Sequence, residues 1–206
     1  MLMSLSMNEM PMTHRHNKNQ HFLQLFDSSD SLAHSVAAFV REGLLNQEVS
    51  FLAVTTHHRH AITDCLTLAG VDTSRAEAEG QLVIRDAGQC LRLFERFGRL
   101  DPLLFDSTVG AEVRRLVSRG RVRVYGEIVD LLAAQGDFGG ARRLEDFWNN
   151  LQRRTPFTLF CGYASENFGD PLTASSLRSI CRTHSHATAN AGDLLGSFLL
   201  RTHVEA

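Results

Sequence analysis

The segment spanning residues 49–70 most constrains the fold of this chain. Residues 49–54 form a short, nearly continuous apolar run, which is typical of a strand buried on both faces. Apolar residues then recur at helical spacing before a glycine that ends the helix: Ile62, Leu66, Ala69 and Gly70. The sequence therefore predicts a strand, a polar loop over residues 55–60 and a helix. In an α/β protein such a loop lies at the carboxyl edge of the sheet, where ligands bind.

This predicted loop is rich in imidazole and lacks the features of a phosphate-binding loop. No glycine lies between Gly43 and Gly70, and the only lysine of the chain is Lys18. A phosphate loop needs glycine backbone to wrap the phosphates and a lysine to reach them. We therefore expect that this loop does not hold a triphosphate in the usual way.

Composition narrows the classes of protein to consider. The 206 residues, 43% of them hydrophobic, suffice for one sizeable core. A formal charge of -2 argues against direct nucleic-acid binding and against an anionic membrane surface. No apolar run is long enough to span a membrane. The four cysteines are widely spaced and the first residues lack the basic start of a signal peptide, so we expect a reduced, cytoplasmic protein.

Alternating strand and helix signals predict the fold class. Strands are predicted at residues 21–26, 49–54, 82–84, 121–125 and 157–161. Helical segments separate them, which predicts a three-layer α/β fold with a mostly parallel sheet between helices. We predict a disordered tail over residues 1–19, one domain over residues 20–190, and a C-terminal helical tail over residues 191–206 that packs on a partner.

The histidines of the predicted loop raise the question of a metal site. His57, His58 and His60 cluster there, but their spacing is not the helical i, i+4 pair that binds zinc. Clustered histidines are also common in flexible loops. We therefore predict no metal and no cofactor, and we favour a hydrogen-bonding role toward a ligand for His58. Zinc binding would require one of three further residues to converge on the loop: Asp86, Glu127 or His184.

Further polar side chains follow other predicted strands. Asp86 and Glu127 each come directly after a strand, and parallel strands place their carboxyl ends at one edge of the sheet. A carboxylate there can act as an acid, a base, a ligand or a helix cap. Because Gly126 permits close approach, we favour Glu127 as the functional carboxylate, with capping as the open alternative. Cys161 and Tyr163 end another strand at the same edge.

Other candidates have simple structural interpretations. His184 and Ser185 either approach the strand edge or cap a turn. A reactive Cys161 would need a lowered pKa, so a core thiol is the simpler interpretation. Trp148 is predicted to lie in the core. No Gly-x-Ser-x-Gly nucleophile elbow is present, and we predict no catalytic residue.

Seven short motifs together resemble a known family. They are His21-Phe22, Phe39–Leu44, Ala53–Thr55 with His58, Tyr125–Leu132, Leu144–Asn149, Phe160–Tyr163 and Ile180–Ser185. In order and spacing they resemble the MEDS family, the sensory domain named after methanogens, methylotrophs and the dichloromethane-response regulator. The resemblance extends over most of the predicted domain.

The resemblance implies a RecA/KaiC-like fold with a degenerate phosphate loop, which agrees with the missing glycines and lysine. It also implies a role in two-component signalling or transcription regulation, with a histidine kinase, a response regulator or a transcription factor as the partner. A small-molecule ligand and a second copy of the chain are further candidates. Because no kinase or DNA-binding segment is attached, we expect the output to pass through another protein. The candidate ligand-binding residues are Thr55, His58, Asp86, Glu127, Cys161, Tyr163, His184 and Ser185.

We therefore favour a non-enzymatic cytoplasmic sensor or adaptor, and two alternatives stay open. One is a small metal- or carboxylate-dependent enzyme that uses His58, Glu127 and His184. The other is a structural interaction module whose pocket is vestigial. Metal analysis of the purified protein distinguishes the enzyme from the other two.

The missing phosphate loop predicts that ATP does not bind appreciably. Calorimetric titration with Mg-ATP should give no heat above that of dilution, because the chain has neither the glycine backbone nor a lysine beyond position 18 to hold the phosphates. An isotherm with a dissociation constant in the micromolar range would contradict this prediction.

Overall fold

The computed structural model describes residues 20–203, so the predicted tail over residues 1–19 lies outside the described residues. The strands, in chain order, are β1 His21–Phe26, β2 Val49–Val54, β3 Leu82–Asp86, β4 Glu95–Arg96, β5 Arg99–Leu100, β6 Val122–Gly126, β7 Thr158–Ala164 and β8 His186–Ala189. The α-helices are α1 Ser29–Leu45, α2 Thr56–Leu68, α3 Thr73–Ala78, α4 Ala87–Phe94, α5 Pro102–Phe105, α6 Ala111–Val117, α7 Ile128–Ala134, α8 Phe138–Gln152, α9 Ala174–Cys181 and α10 Leu194–His203.

Six of the strands form one sheet in the order β3-β2-β6-β7-β1-β8, and every neighbouring pair is parallel. Strands β4 and β5 form a separate antiparallel hairpin. The central strands are apolar along nearly their whole length because helices cover both faces of the sheet. The predicted three-layer α/β architecture with a parallel sheet is confirmed.

The two faces of the sheet carry different sets of helices. Apolar residues of α1, α2 and α3 pack on one face, together with Leu52, Tyr125 and Phe160 from the strands. The longer segment from α4 to α10 packs on the other face, against Val124 and Leu159. We call these the α1 face and the α8 face. Since successive strand residues point to opposite faces, each strand contributes to both cores.

Side-chain caps fix where seven of the helices begin. In each case an oxygen of the capping residue accepts a hydrogen bond from the backbone N–H three residues later, which satisfies one of the free donors of the first turn. The capping residues are Ser28 for α1, Thr55 for α2, Asp72 for α3, Asp86 for α4, Asp101 for α5, Asp137 for α8 and Asp193 for α10.

The structure corrects the prediction of a loop over residues 55–60. Helix α2 begins at Thr56, so the histidines occupy its first turns, and Thr55 alone joins it to β2. The cap at Thr55 provides the reason, because it lets the helix start within one residue of the strand. Two further elements were not predicted: the β4–β5 hairpin and β8. Strand β8 has only four residues, HATA, and no strongly apolar pattern.

The C-terminal segment packs on the domain itself. Leu199 and Leu200 of α10 are buried in the core of the α8 face, and Asp193 accepts a hydrogen bond from the Ser165 hydroxyl. Leu194 and Leu195, at the start of the helix, are exposed. Within residues 20–203, no helix is both long enough and apolar enough to cross a membrane.

Replacing Trp148 should test the core of the α8 face. The side chain is 1% exposed and packs edge-on against Phe105, with a ring-centroid distance of 5.0 Å. We expect Trp148→Ala to lower the free energy of unfolding by about 3–5 kcal/mol in urea denaturation, because it leaves a large cavity. The control is Phe97→Ala, which truncates a fully exposed aromatic side chain and should change stability by no more than about 0.5 kcal/mol. Equal effects of the two substitutions would contradict the prediction.

Candidate functional site

The carboxyl edge of the sheet between β2 and β6 is a topological switch point. Helix α2, which follows β2, packs on the α1 face, whereas α7, which follows the neighbouring β6, packs on the α8 face. Where the helices after two adjacent strands go to opposite faces, a ligand crevice forms outside the strand ends. The polar residues after β2 and β6 are therefore placed at the position where this class of fold binds ligands.

A histidine–carboxylate pair lies at this switch point. His58 Nδ1 lies 2.7 Å from Glu127 Oε2, and Glu127 Oε1 accepts a short hydrogen bond from the Thr55 backbone N–H. The Glu127 side chain is 2% exposed and that of His58 is 14% exposed. A carboxylate this deeply buried is stable only when hydrogen bonds or an opposite charge compensate it, and these two contacts provide that compensation.

The pair is connected to the ends of two more strands. His58 Nε2 lies 3.2 Å from the Ser29 hydroxyl at the start of α1, beyond β1. Asp130, in the first turn of α7, accepts hydrogen bonds from the Ala164 backbone N–H, at the end of β7, and from the Asn167 side chain. We call Ser29, Thr55, His58, Glu127 and Asp130 the carboxyl-edge cluster. It links the ends of β1, β2, β6 and β7.

The electrostatics of this cluster raise the pKa of two of its groups. The hydrogen bond to Glu127 raises the pKa of His58, and this outweighs the opposing effect of burial. Burial raises the pKa of Asp130 to about 6, helped by the charge of Glu127 and opposed by the Ala164 hydrogen bond. The raised pKa of His58 favours its protonated form, and the Asp130 carboxyl changes protonation state at mildly acidic pH.

A buried hydroxyl lies beside the cluster. Tyr125 is 0% exposed, and burial, followed by the charge of Glu127, raises the pKa of its hydroxyl. Among the described residues its oxygen has no well-directed hydrogen-bond partner. A Cβ at Gly162 would lie 2.6 Å from this oxygen, so glycine is needed there. At Gly126, by contrast, a Cβ would meet no atom within 4 Å, so the space beside this residue is open.

Asp86 lies at the same edge but has a capping role. Its Oδ1 accepts the Gln89 backbone N–H at 2.7 Å, and its Oδ2 lies 3.5 Å from the Thr56 hydroxyl. It borders an open cavity of about 480 Å³ between α2, α3 and β3. Two arginines line this cavity and both are in ion pairs: Arg59 with Glu77 at 3.4 Å and Arg85 with Glu112 at 2.6 Å.

A second cluster lies inside the α8 face, away from the switch point. It contains His21 at the start of β1, Glu145 on α8, Cys161 in the middle of β7 and His184 before β8. Their ligand-type atoms all lie within 4.8 Å of one another. We call these four residues the inner cluster. All four side chains are buried, and the Glu145 carboxylate is 0% exposed.

Glu145 is the centre of the inner cluster. Its Oε2 lies 3.2 Å from His21 Nε2, and its Oε1 accepts the Tyr163 hydroxyl at 2.6 Å and lies 3.4 Å from His184 Nε2. Burial would raise the pKa of Glu145, but the two histidines hold it well below its usual range. Burial, and then Glu145, raises the pKa of the Cys161 thiol well above its usual range. The carboxylate therefore stays charged, and the thiol keeps its proton.

The structure divides the eight predicted ligand residues between separate places. Thr55, His58 and Glu127 meet as predicted, and Glu127 makes no side-chain cap, so the capping alternative for it is wrong.

Cys161 and His184 belong to the inner cluster, and Tyr163 binds Glu145 there. Ser185 is exposed at the amino end of β8, and its backbone N–H donates to His21 O. Asp86 caps α4. The triad of His58, Glu127 and His184 is therefore not assembled.

Sequence reasoning missed four residues of these clusters: His21, Ser29, Asp130 and Glu145. A weak signal existed for Glu145, since it interrupts the apolar stripe of α8 between Leu144 and Trp148. Such a carboxylate at a core position predicts a compensating partner. His184 was misplaced because a residue that precedes a parallel strand lies toward its amino end, and β8 was not predicted.

The chain is similar to a known protein family over most of its length. Residues 20–185 match the family model of MEDS, the methanogen/methylotroph, DcmR sensory domain. No curated protein matches the chain.

A histidine titration followed by NMR tests the His58–Glu127 pair. We expect a His58 pKa above its ordinary value of 6.5 in the wild type and a lower one in Glu127→Gln, because the hydrogen bond to the carboxylate is lost. Since folding raises this pKa, the pair stabilises the fold fully below a pH of about 6.5, and the contribution disappears as the pH rises through the folded-state pKa. Asp86→Asn is the control and should leave the His58 pKa in place. An unchanged pKa in Glu127→Gln would contradict the assignment.

Proposed function

Because the family match covers most of the chain, this protein belongs to the MEDS family of sensory domains, and on that premise we propose that it senses a ligand at the carboxyl-edge cluster. In this proposal the protein is a non-enzymatic, cytoplasmic signalling module. It binds a small polar molecule and passes the signal to a histidine kinase, a response regulator or a transcription factor. A second copy of the chain is a further candidate partner.

The observation that carries this proposal is the buried His58–Glu127 pair at the carboxyl edge between β2 and β6. Burying such a pair costs free energy, and this pair lies at a strand-end position where α/β folds bind ligands. The neighbouring Tyr125 hydroxyl interacts with Glu127 but has no well-directed hydrogen bond among the described residues, so it adds a polar group that a ligand can engage. These features together favour a ligand with both a hydrogen-bond donor and an acceptor.

The charges at this edge favour a ligand other than a nucleotide. Carboxylates follow β1, β3 and β6, at Asp27, Asp86 and Glu127, and Asp130 adds a fourth in α7. These groups repel a triphosphate, and the part of the chain that the structure describes contains no lysine to offset them. We propose that the fold is RecA/KaiC-like with its phosphate site lost. The parallel sheet and a polar cluster at its carboxyl edge support that proposal.

The same contacts provide a route from ligand binding to a change in the protein. Glu127 is engaged by both Thr55 and His58, so a ligand that bonds to Glu127 must compete with the pair. The cluster bridges the first turns of α1, α2 and α7. A ligand that separated His58 from Glu127 would release the starts of these helices and so alter the surface that a partner contacts.

Substitution of Glu127 in the source cells tests this function. We expect deletion of the gene to change a defined set of transcripts, and we expect Glu127→Gln to reproduce that change with the protein folded and at wild-type abundance. The amide keeps the shape of the carboxylate and removes its charge, so the loss reports on the His58 pair and not on packing.

The matched control is Asp86→Asn, which alters a carboxylate at the same edge that caps a helix. It should leave the transcript set as in the wild type. A wild-type profile in folded Glu127→Gln would contradict the proposed site. A deletion without any effect on transcripts or on kinase output would contradict the signalling role.

A further inference from the structure

We propose that the inner cluster is a binding site for a divalent transition metal, with zinc as the best match. The four ligands are His21 Nε2, Glu145 Oε2, Cys161 Sγ and His184 Nε2. This site is separate from the carboxyl-edge cluster and does not depend on the function proposed there.

Three of the four ligand atoms are spaced like the corners of a tetrahedral site. His21 Nε2 lies 3.2 Å from Glu145 Oε2 and 3.4 Å from Cys161 Sγ, and Cys161 Sγ lies 3.5 Å from Glu145 Oε2. Zinc binds nitrogen, oxygen and sulfur at about 2.0–2.3 Å, and a tetrahedron of that size has edges of roughly 3.3–3.7 Å. These three separations are close to such edges, and the fourth atom, His184 Nε2, lies within 4.8 Å of the others.

The neighbours of the first histidine orient Nε2 toward the cluster. Asn149 Nδ2 donates to the Thr183 carbonyl at 3.0 Å, so the amide oxygen of Asn149 faces His21. That oxygen lies 3.0 Å from His21 Nδ1, which must therefore carry a proton. Without a metal, Nε2 donates to Glu145 Oε2 at 3.2 Å, and a metal ion that displaces this proton would take the Nε2 lone pair. Histidines that bind metals are oriented by this kind of contact.

The second histidine is held in the same way. His184 Nδ1 lies 2.9 Å from the Ile180 carbonyl, which can only accept, so the proton is on Nδ1. Its Nε2 lies 3.4 Å from Glu145 Oε1 but makes no well-directed hydrogen bond with any described residue. The side chain is 0% exposed. A buried ring nitrogen without such a bond is costly, and a metal ion would satisfy it.

A divalent ion also balances the charge of this buried site. Two neutral histidines, a thiolate and a carboxylate carry two negative charges, which one divalent cation neutralises. The Tyr163 hydroxyl holds Glu145 Oε1, and this leaves Oε2 free for the metal. Binding requires the Cys161 thiol to lose its proton, so metal uptake should release a proton and weaken as the pH falls.

The chemistry of the four donors indicates a structural metal. A mixed set of nitrogen, sulfur and oxygen donors suits zinc better than magnesium or calcium, which prefer oxygen ligands. Four protein ligands leave no open position for a substrate, as in closed structural sites. The ion would join β1, β7, α8 and the segment before β8, and would therefore fix the edge strand β8 to the sheet.

Metal analysis of the full-length protein tests the proposal. We expect about one zinc per chain after saturation and removal of excess metal, and we expect a raised melting temperature. In the cobalt-substituted protein we expect a thiolate-to-cobalt charge-transfer band. Cys161→Ser should abolish that band and the zinc-dependent shift in melting temperature. Asn149→Ala should weaken zinc binding about 10–100-fold, because it frees the His21 ring.

The controls separate this site from other residues that bind metals. Cys90→Ser changes a buried thiol outside the cluster, and replacement of the exposed His57 and His60 removes surface imidazoles, so both should keep the zinc stoichiometry and the cobalt band. The proposal is overturned if the folded wild-type protein retains no zinc, or if the cobalt protein lacks the thiolate band. It is also overturned if Cys161→Ser keeps both properties. In those cases the inner cluster is a metal-free hydrogen-bonded network in which Glu145 is held by His21, His184 and the Cys161 thiol.

Discussion

The structure depends on a parallel sheet whose two faces are both buried, so that charge can persist near it only where another group compensates it. Arg123 in β6 illustrates this on the α1 face. Its guanidinium lies 2.6 Å from Glu48 and 3.1 Å from Glu42, donates to the Phe39 carbonyl and packs over the Phe39 ring. The carboxyl-edge cluster and the inner cluster obey the same constraint with histidines as the compensating groups. In these three places, each buried charge is held by several neighbouring groups.

The two histidine–carboxylate clusters differ in access, and this difference separates their proposed roles. His58 is partly exposed at the carboxyl edge of the sheet, where an arriving molecule can compete for its bond to Glu127. His21 and His184 have side-chain exposures of 3% and 0%, so their environment changes only if the chain opens or a small ion enters. A shallow, titratable pair suits a reversible response, whereas a deep cluster with fixed ring orientations suits a permanent structural connection.

Local signals explain how much of the fold could be predicted from the sequence. The strands at residues 21–26 and 49–54 were predicted at their observed bounds, because apolar runs report burial directly. The start of α2 was missed because the Thr55 cap works with a single residue of connection. Strand β8 was missed because its four residues have a weak β pattern of their own. It is a strand because it pairs with β1 at the edge of the sheet.

The sequence by itself determined the fold class, the missing phosphate loop and the convergence of Thr55, His58 and Glu127. Thr55 and Glu127 follow strands directly, His58 lies three residues after Thr55, and parallel strands bring their carboxyl ends to one edge. Only the tertiary structure decided that Cys161 and His184 join Glu145 and His21. Strand order and the face to which each side chain points depend on pairings between segments more than a hundred residues apart, such as β1 with β7 and β8. No local pattern encodes such pairings, because they arise from the packing of the whole sheet.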